Sequence, residues 1–226
     1  IRAEDAGVRT RQFGIVDFTH QPVTYTGGQA GRAKKGVDGT VGDIVYAIQG
    51  NVLASENVIT QCELTLRAAS GDLGQRVLAA MVRARQLGGD GRCSCVPESL
   101  GDCGVPPPDF RKSAHVGFLL LARMGDSDGG GALGESCADG PYYLRLNIRG
   151  PNAGHEDPDP VDQPVERYAT WSASRAGRPD GILSRVRALA SLPADGQTER
   201  TVTVELVDID GQPIPHGGAL VEVQSE

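Results

Sequence analysis

The sequence predicts an α+β fold with a largely antiparallel sheet. Three observations carry this. Strand-like and helix-like segments come in blocks: a strand pair, a further strand, two helices, two more strands, then a helix. The run Ile44-Val45-Tyr46-Ala47-Ile48 is apolar and rich in β-branched residues, as a buried strand is. Two stretches with apolar residues at helical spacing follow it directly. Segregated blocks favour α+β layering over a parallel βαβ sheet.

The first ten residues are polar. Gln12–Phe18 and Val23–Gly27 read as a hairpin around the turn Thr19-His20-Gln21-Pro22. Residues 27–43 are glycine-rich and read as a loop. Gly39-Thr40-Val41-Gly42 lacks the Gly-Lys-Ser/Thr ending of a phosphate loop. The Ile44 strand breaks at Gln49-Gly50-Asn51, a polar tripeptide where Gly50 frees the backbone path. Ser55 stands where a helix N-cap is wanted, ahead of Val58, Ile59, Cys62 and Leu66, so a helix is expected from Ser55 to Ala69. A second helix starts at Asp72, with Gln75 completing a capping box. Its stripe is Leu73, Val77, Ala80, Met81, Ala84 and Leu87, and Gly88-Gly89 stops it. Residues 90–112 form a cysteine- and proline-rich insertion. Ser113–Arg123 and Tyr142–Arg149 return to strand. Glu156–Asp162 leads into a helix running to about Gly177, its acids facing the N-terminal dipole.

Composition narrows the function classes. The chain has 226 residues, 39% of them hydrophobic, which suffices for a core; 31 glycines and 14 prolines make loops extensive. A net charge of −7 argues against nucleic acid or an anionic membrane as partner. No apolar run approaches the roughly 18 residues of a membrane span. Ile1 is not an initiator Met, so the chain is read as processed or incomplete.

Five cysteines sort into two groups. Cys62 falls on an apolar helical stripe and reads as a buried thiol. Cys93, Cys95, Cys103 and Cys137 lie in loops and read as disulfide partners in an oxidising compartment, Cys93 and Cys95 bonding to Cys103 and Cys137 in either order. Zinc is the weaker rival: Cys-x-Cys is poor zinc spacing and no histidine stands nearby in sequence. No cofactor or metal is expected. Asp126–Gly131 has some calcium-loop character but lacks the further ligands, so a solvated turn is favoured. His20, His115, His155 and His216 are scattered and read as surface or packing residues.

Several motifs together resemble one family. They are Gln12–Asp17, Tyr25-Thr26-Gly27, Tyr46–Leu53, Gly88-Gly89-Asp90 and Asp157–Val161, in that order. They resemble the domain of unknown function 1028 family, and the cysteine-rich insertion through Ser113–Gly117 is similar to its secreted bacterial branch. The resemblance covers about residues 1–177. It implies a four-layer αββα sandwich of the N-terminal-nucleophile hydrolase type, here incomplete at its N-terminus, and an amide-bond hydrolase ancestry. That mechanism uses a Thr, Ser or Cys whose own free amine is the base. Ile1 has no such side chain. The expectation is a nucleophile on a missing N-terminal segment or on a separate chain that completes the domain. Asp17, Gln49 and Asn51 are the candidates to line the site, orienting a substrate amide or donating to an oxyanion.

From about residue 178 a second resemblance starts. Leu192–Thr198 with Thr201–Ile214 resembles the start of a bacterial Ig-like domain of the invasin and intimin type, an all-β segment too short for a full sandwich. The expected domains are therefore 1–177 and 178–226, in a secreted, periplasmic or cell-surface protein, with a second copy of itself among the partners considered. An amide-bond hydrolase with its nucleophile elsewhere is the first function expected. A non-catalytic extracellular binding or structural module is the second, and a metal-dependent activity on the acidic loops the third.

Overall fold

The structure is a computed structural model that describes residues 4–123, 143–149, 159–181, 183–187, 196–197 and 201–215. The chain divides into two compact units, Ile1–Glu166 and Arg167–Glu226.

In the first unit, β1 (Gln12–Ile15) pairs antiparallel with β2 (Val23–Thr26), Gln12 opposite Thr26 and Ile15 opposite Val23. A second hairpin joins β3 (Lys35–Val41) to β4 (Ile44–Gly50) through Gly42-Asp43, with Gly42 at φ +60. The β3 strand corrects the expectation of a loop over residues 27–43. Val37 and Val41 share one face of β3 and pack against the apolar core, while Gly36 and Asp38 face the other way. Glycines at 36 and 39 hide this alternation from a hydrophobicity count. They are there because neighbours crowd them: a Cβ on Gly36 would lie 3.1 Å from Thr24 Cβ, and one on Gly39 would lie 2.7 Å from the Tyr46 hydroxyl.

The two hairpins meet face to face. Gly14 of β1 sits over Ala47 and Gln49 of β4, and Thr24 donates its N–H and hydroxyl to Asp38 at 3.0 and 2.7 Å. The opposite face of β4 carries α1 (Asn57–Ala68), beside which lies α2 (Leu73–Gln86). Tyr46, Leu53, Val58, Ile59, Cys62, Leu66, Ala80 and Leu87 form the core between them. The Tyr46 hydroxyl donates to Glu63 at 2.7 Å and accepts from Arg67 at 2.8 Å, which ties β4 to α1.

The α2 cap is the capping box expected: Asp72 accepts from the Gln75 N–H at 2.8 Å, and Gln75 accepts from the Asp72 N–H at 2.9 Å. The α1 start differs. The helix begins at Asn57, and Ser55 accepts from the Asn57 N–H at 3.2 Å from outside it. After α2, Gly88 and Gly89 adopt φ +94 and +51. A Cβ on Gly89 would lie 2.6 Å from the Ser113 carbonyl oxygen, so the insertion closes tightly onto this turn. Its short helix α3 (Gly91–Ser94) is capped by Asp90 and bonds back to Val52 through Gly91.

Beyond the insertion, β5 (Val116–Leu121) pairs antiparallel with β6 (Leu144–Arg149). Gly117 lets β5 lie against Pro160: a Cβ there would be 2.6 Å from the Pro160 carbonyl oxygen. Helix α4 (Asp162–Arg175) runs across the division between the units.

The described part of the second unit holds a short pair, β7 (Arg185–Val186) with β8 (Val204–Glu205), and a bridge between Val207 and Pro213. Asp208 organises the turn between the bridged residues, accepting N–H groups from Asp210 at 3.0 Å and Gln212 at 2.8 Å, and it also accepts from Gly177 at 3.0 Å. The expected acidic loop at 126–131, Cys137, His155, His216 and Leu192–Asp195 lie outside the described residues.

Candidate functional site: a groove along the open edge of β4

A groove of about 610 Å³ follows β4 in the first unit. It touches every residue from Ile44 to Gln49, but none of β3. It therefore runs along the edge of β4 that faces away from β3. One wall is the inner face of α1 and α2, with Cys62, Leu66, Val77, Ala80, Met81 and Ala84. The other wall includes Gly14 and Val16 at the end of β1. The apolar periodicity of both helices creates the first wall, and the absence of a side chain at Gly14 lets β1 come close to Ala47 and Gln49 at the second.

The register shows which backbone groups line this edge. In a two-residue hairpin the residues flanking the turn exchange both hydrogen bonds, and bonded pairs then alternate along the ladder. Val41 and Ile44 flank Gly42-Asp43, so Ile44, Tyr46, Ile48 and Gly50 point their N–H and C=O groups at β3. Val45, Ala47 and Gln49 point theirs into the groove. Among the described residues, no backbone partner meets them.

Polar groups gather at one corner. Arg85, Asp90 and Ser113 line it. The Asp159 side chain is fully buried behind them, accepting from the Ser113 N–H at 2.7 Å and the Val161 N–H at 3.0 Å. Arg85 pairs with Asp162 at 2.8 Å, and its Nε lies 3.5 Å from Asp159. Among the described residues, that buried Nε has no hydrogen-bond partner. Asp90 is held by Arg92, at 2.6 Å between the guanidinium and a carboxylate oxygen.

The three residues expected to line a site separate here. Gln49 reaches the groove; it is exposed, and among the described residues its amide bonds to nothing. Asn51 is spent on the fold: it donates to Gln12 at 2.8 Å, while Gln12 donates to the Gly50 carbonyl at 2.9 Å and to Thr26 at 3.0 Å. Asp17 sits in the loop after β1 and caps it, accepting N–H groups from Thr19 at 2.8 Å and His20 at 2.6 Å. These N–H donors hold its carboxyl below the usual range. Asp17, Thr19 and His20 have the composition of a catalytic triad without its geometry. Asp17 and the Thr19 hydroxyl both meet His20 Nδ1, at 2.6 and 2.8 Å, whereas a triad needs the carboxylate on one ring nitrogen and the nucleophile on the other.

The cysteines offer no activated nucleophile among the described residues. Cys62 lines the groove, but burial pushes its thiol up to about 11, and it donates to the Ala80 carbonyl at 3.3 Å. Cys93 is a correction. It is a free thiol buried on the inner side of α3, also pushed up to about 11, chiefly by burial and then by Asp90. Cys95 and Cys103 pair with each other, their Cα atoms 5.7 Å apart. Facing inward from a four-residue helix, Cys93 does not enter the loop disulfide that its neighbour Cys95 reaches. The signal sequence reasoning missed was the helical start at Asp90, whose side chain caps the Arg92 N–H. Among the described residues, no cluster of His, Cys, Asp or Glu could hold a metal ion, and no helix is long and apolar enough to cross a membrane.

No curated protein and no solved structure matches the chain. A family model does match, from Ile1 to Pro97, which takes in β1 to β4 and α1 to α3 but stops short of Ser113–Gly117 and Asp157–Val161. The N-terminal part of this chain, residues 1–97, is thus similar to the family of unknown function DUF1028.

Proposed function

We propose that the first unit is a binding module of an exported protein, and that its ligand lies in the groove along β4. The groove itself carries this reading. Its volume falls within the roughly 300–1,000 Å³ typical of ligand sites, and its walls are apolar with a few polar groups at one corner. The Cys95–Cys103 disulfide supports an oxidising compartment. The test is titration with the apolar dye 1-anilinonaphthalene-8-sulfonate. The native protein should bind about one equivalent, and Met81→Ala, which widens the groove, and Ala84→Trp, which fills it, should change the affinity in opposite senses. Dye binding unaffected by both variants would end this reading.

A second reading keeps the amide-bond hydrolase. The Gln49 amide at the groove, which has no partner among the described residues, favours it, since an amide side chain in that position can orient a substrate amide. The resemblance to N-terminal-nucleophile hydrolases supports a four-layer ancestry, with the nucleophile brought to the groove from outside the described residues. Cleavage of acyl-amide and peptide libraries is the assay. The 226-residue chain should show no turnover, and hydrolysis should appear only when a segment carrying an N-terminal Thr, Ser or Cys is present.

A further inference from the structure

We propose that the first unit has a second site, a polar hollow beside the start of α1 that takes a small zwitterion such as a free amino acid. No residue lines both this hollow and the groove along β4, so it stands apart from that reading.

The hollow has a volume of about 400 Å³, within the range of ligand sites. Three segments build it: residues 31–34 ahead of β3, Glu56 at the entry to α1, and residues 99–102 of the insertion. Backbone hydrogen bonds lock the segments together. Val52 and Leu53 donate to the carbonyls of Arg32 and Ala33 at 2.8 and 3.2 Å. Asp102 and Cys103 donate to the carbonyls of Leu53 and Ala54 at 2.9 and 2.8 Å. Ser99 and Asp102 also lie inside the loop that the Cys95–Cys103 disulfide closes. The walls are therefore fixed before a ligand arrives, which lowers the cost of binding.

The backbone here departs from what local sequence favours. Ala33, Val52 and Asp102 adopt φ +40, +51 and +60, the left-handed region that side chains resist. Ala33 and Asp102 line the hollow, and Val52 stands directly behind it, where a Cβ on Gly31 would lie 2.8 Å from Val52 Cγ2. Asp109 is the one further non-glycine residue of this kind among the described residues. Such conformations persist where the surrounding structure imposes them, and they gather at ligand sites.

The lining selects the ligand. Arg32 and Lys34 stand on one segment, Glu56 and Asp102 on the other two. The Lys34 ammonium donates to the Gly28 carbonyl at 2.6 Å, so Arg32 is the cation for a ligand carboxylate, which its planar fork matches. Glu56 and Asp102 supply acceptors for an ammonium. An ion of one sign would meet like charge across the hollow, whereas a zwitterion meets opposite charge at each end. Gly31, Ala33 and Gly101 are the lining residues without a polar side chain, so an apolar ligand finds little surface to cover.

The experiment titrates the 226-residue chain with glycine, L-alanine, L-serine and γ-aminobutyrate in turn. The amide signals of Gly31, Ala33, Gly101 and Asp102 are followed by NMR. At least one zwitterion should shift them saturably, while sodium acetate and methylammonium chloride at equal concentration should not. Arg32→Gln and Asp102→Asn should each weaken binding by about tenfold or more, as loss of a charged hydrogen-bond partner does. Asn tolerates the left-handed conformation, so Asp102→Asn keeps the wall, and an unchanged circular dichroism spectrum checks both variants. Shifts with acetate or methylammonium alone would make this a simple ion site and overturn the proposal. So would the absence of any shift, or binding that survives either substitution. None of these failures touches the groove along β4, whose dye titration reads a different set of residues.

Discussion

Gly14→Ala tests the face-to-face contact of the two hairpins. A Cβ at Gly14 would stand 2.9 Å from Ala47 Cβ and 2.6 Å from Gln49 Oε1. The Gln49 amide is the end of a flexible exposed chain and can swing aside. Ala47 Cβ is fixed to β4. Ordinary carbon contacts are about 3.5–4.0 Å, so β1 and β4 must separate by about 0.6 Å or more. Overpacking of this kind costs about 1–3 kcal/mol. Loss of glycine's freedom in the unfolded chain returns about 0.4–1 kcal/mol. The net expectation is a destabilisation of about 1–2 kcal/mol. Ala47→Gly alone should cost about 0.5–1 kcal/mol, for glycine in a strand. The double variant moves the methyl group from β4 to β1 and removes the clash. It should be more stable than the sum of the single effects by about 1 kcal/mol, within the range for residues in contact. Urea denaturation followed by circular dichroism at 222 nm, which reports α1 and α2, gives the three values. Additive effects would refute the contact and with it the second wall of the groove.

Other outcomes follow from single features. Asp72→Ala removes the capping box and should lower the urea midpoint by an amount equal to about 1 kcal/mol, with the denaturant slope unchanged. Cys62 and Cys93 should resist alkylation at pH 8 in the native protein and react after unfolding, because both thiols are pushed up to about 11. Replacing Cys95 and Cys103 by alanine opens a loop of sequence separation 8 and should cost about 2–3 kcal/mol by chain entropy, read as a fall in the urea midpoint. The N–H groups of Gly177, Gln212 and Asp210 hold the Asp208 carboxyl below its usual 3.8. Its contribution is therefore present above that value and is lost as pH falls through the lower folded value. Trp171 fluorescence should show the second unit loosening only below about pH 4, and a transition above pH 5 would contradict the assignment.

Much of the first unit was legible because local chemistry and tertiary packing agree there. The Asp72–Gln75 box, the Gly88-Gly89 stop and the apolar face of α1 are all set within a few residues of sequence. The β3 strand was not legible, since its glycines answer to Thr24 and to Tyr46, which are distant in sequence or lie on the partner strand. Ser55 has the composition of a cap, but the chain enters the helix two residues later. Of the three residues expected to line a site, Gln49 alone touches the groove. Asn51 belongs to the same polar tripeptide, yet Gln12 claims it, a partner 39 residues away. The groove depends on which edge of β4 is left open, and that is a property of pairing rather than of composition. Gln49, Ala47 and Val45 carry no polar signal of their own for it, apart from the Gln49 amide.

The measurement that reaches the central claim most directly is residue-resolved hydrogen exchange of β4 in the free protein at low concentration. An open edge predicts alternation: slow exchange at Tyr46 and Ile48, whose N–H groups face β3, and fast exchange at Val45, Ala47 and Gln49, whose N–H groups face the groove. Uniformly slow exchange from Val45 to Gln49 would contradict the open edge, and with it the binding site along β4.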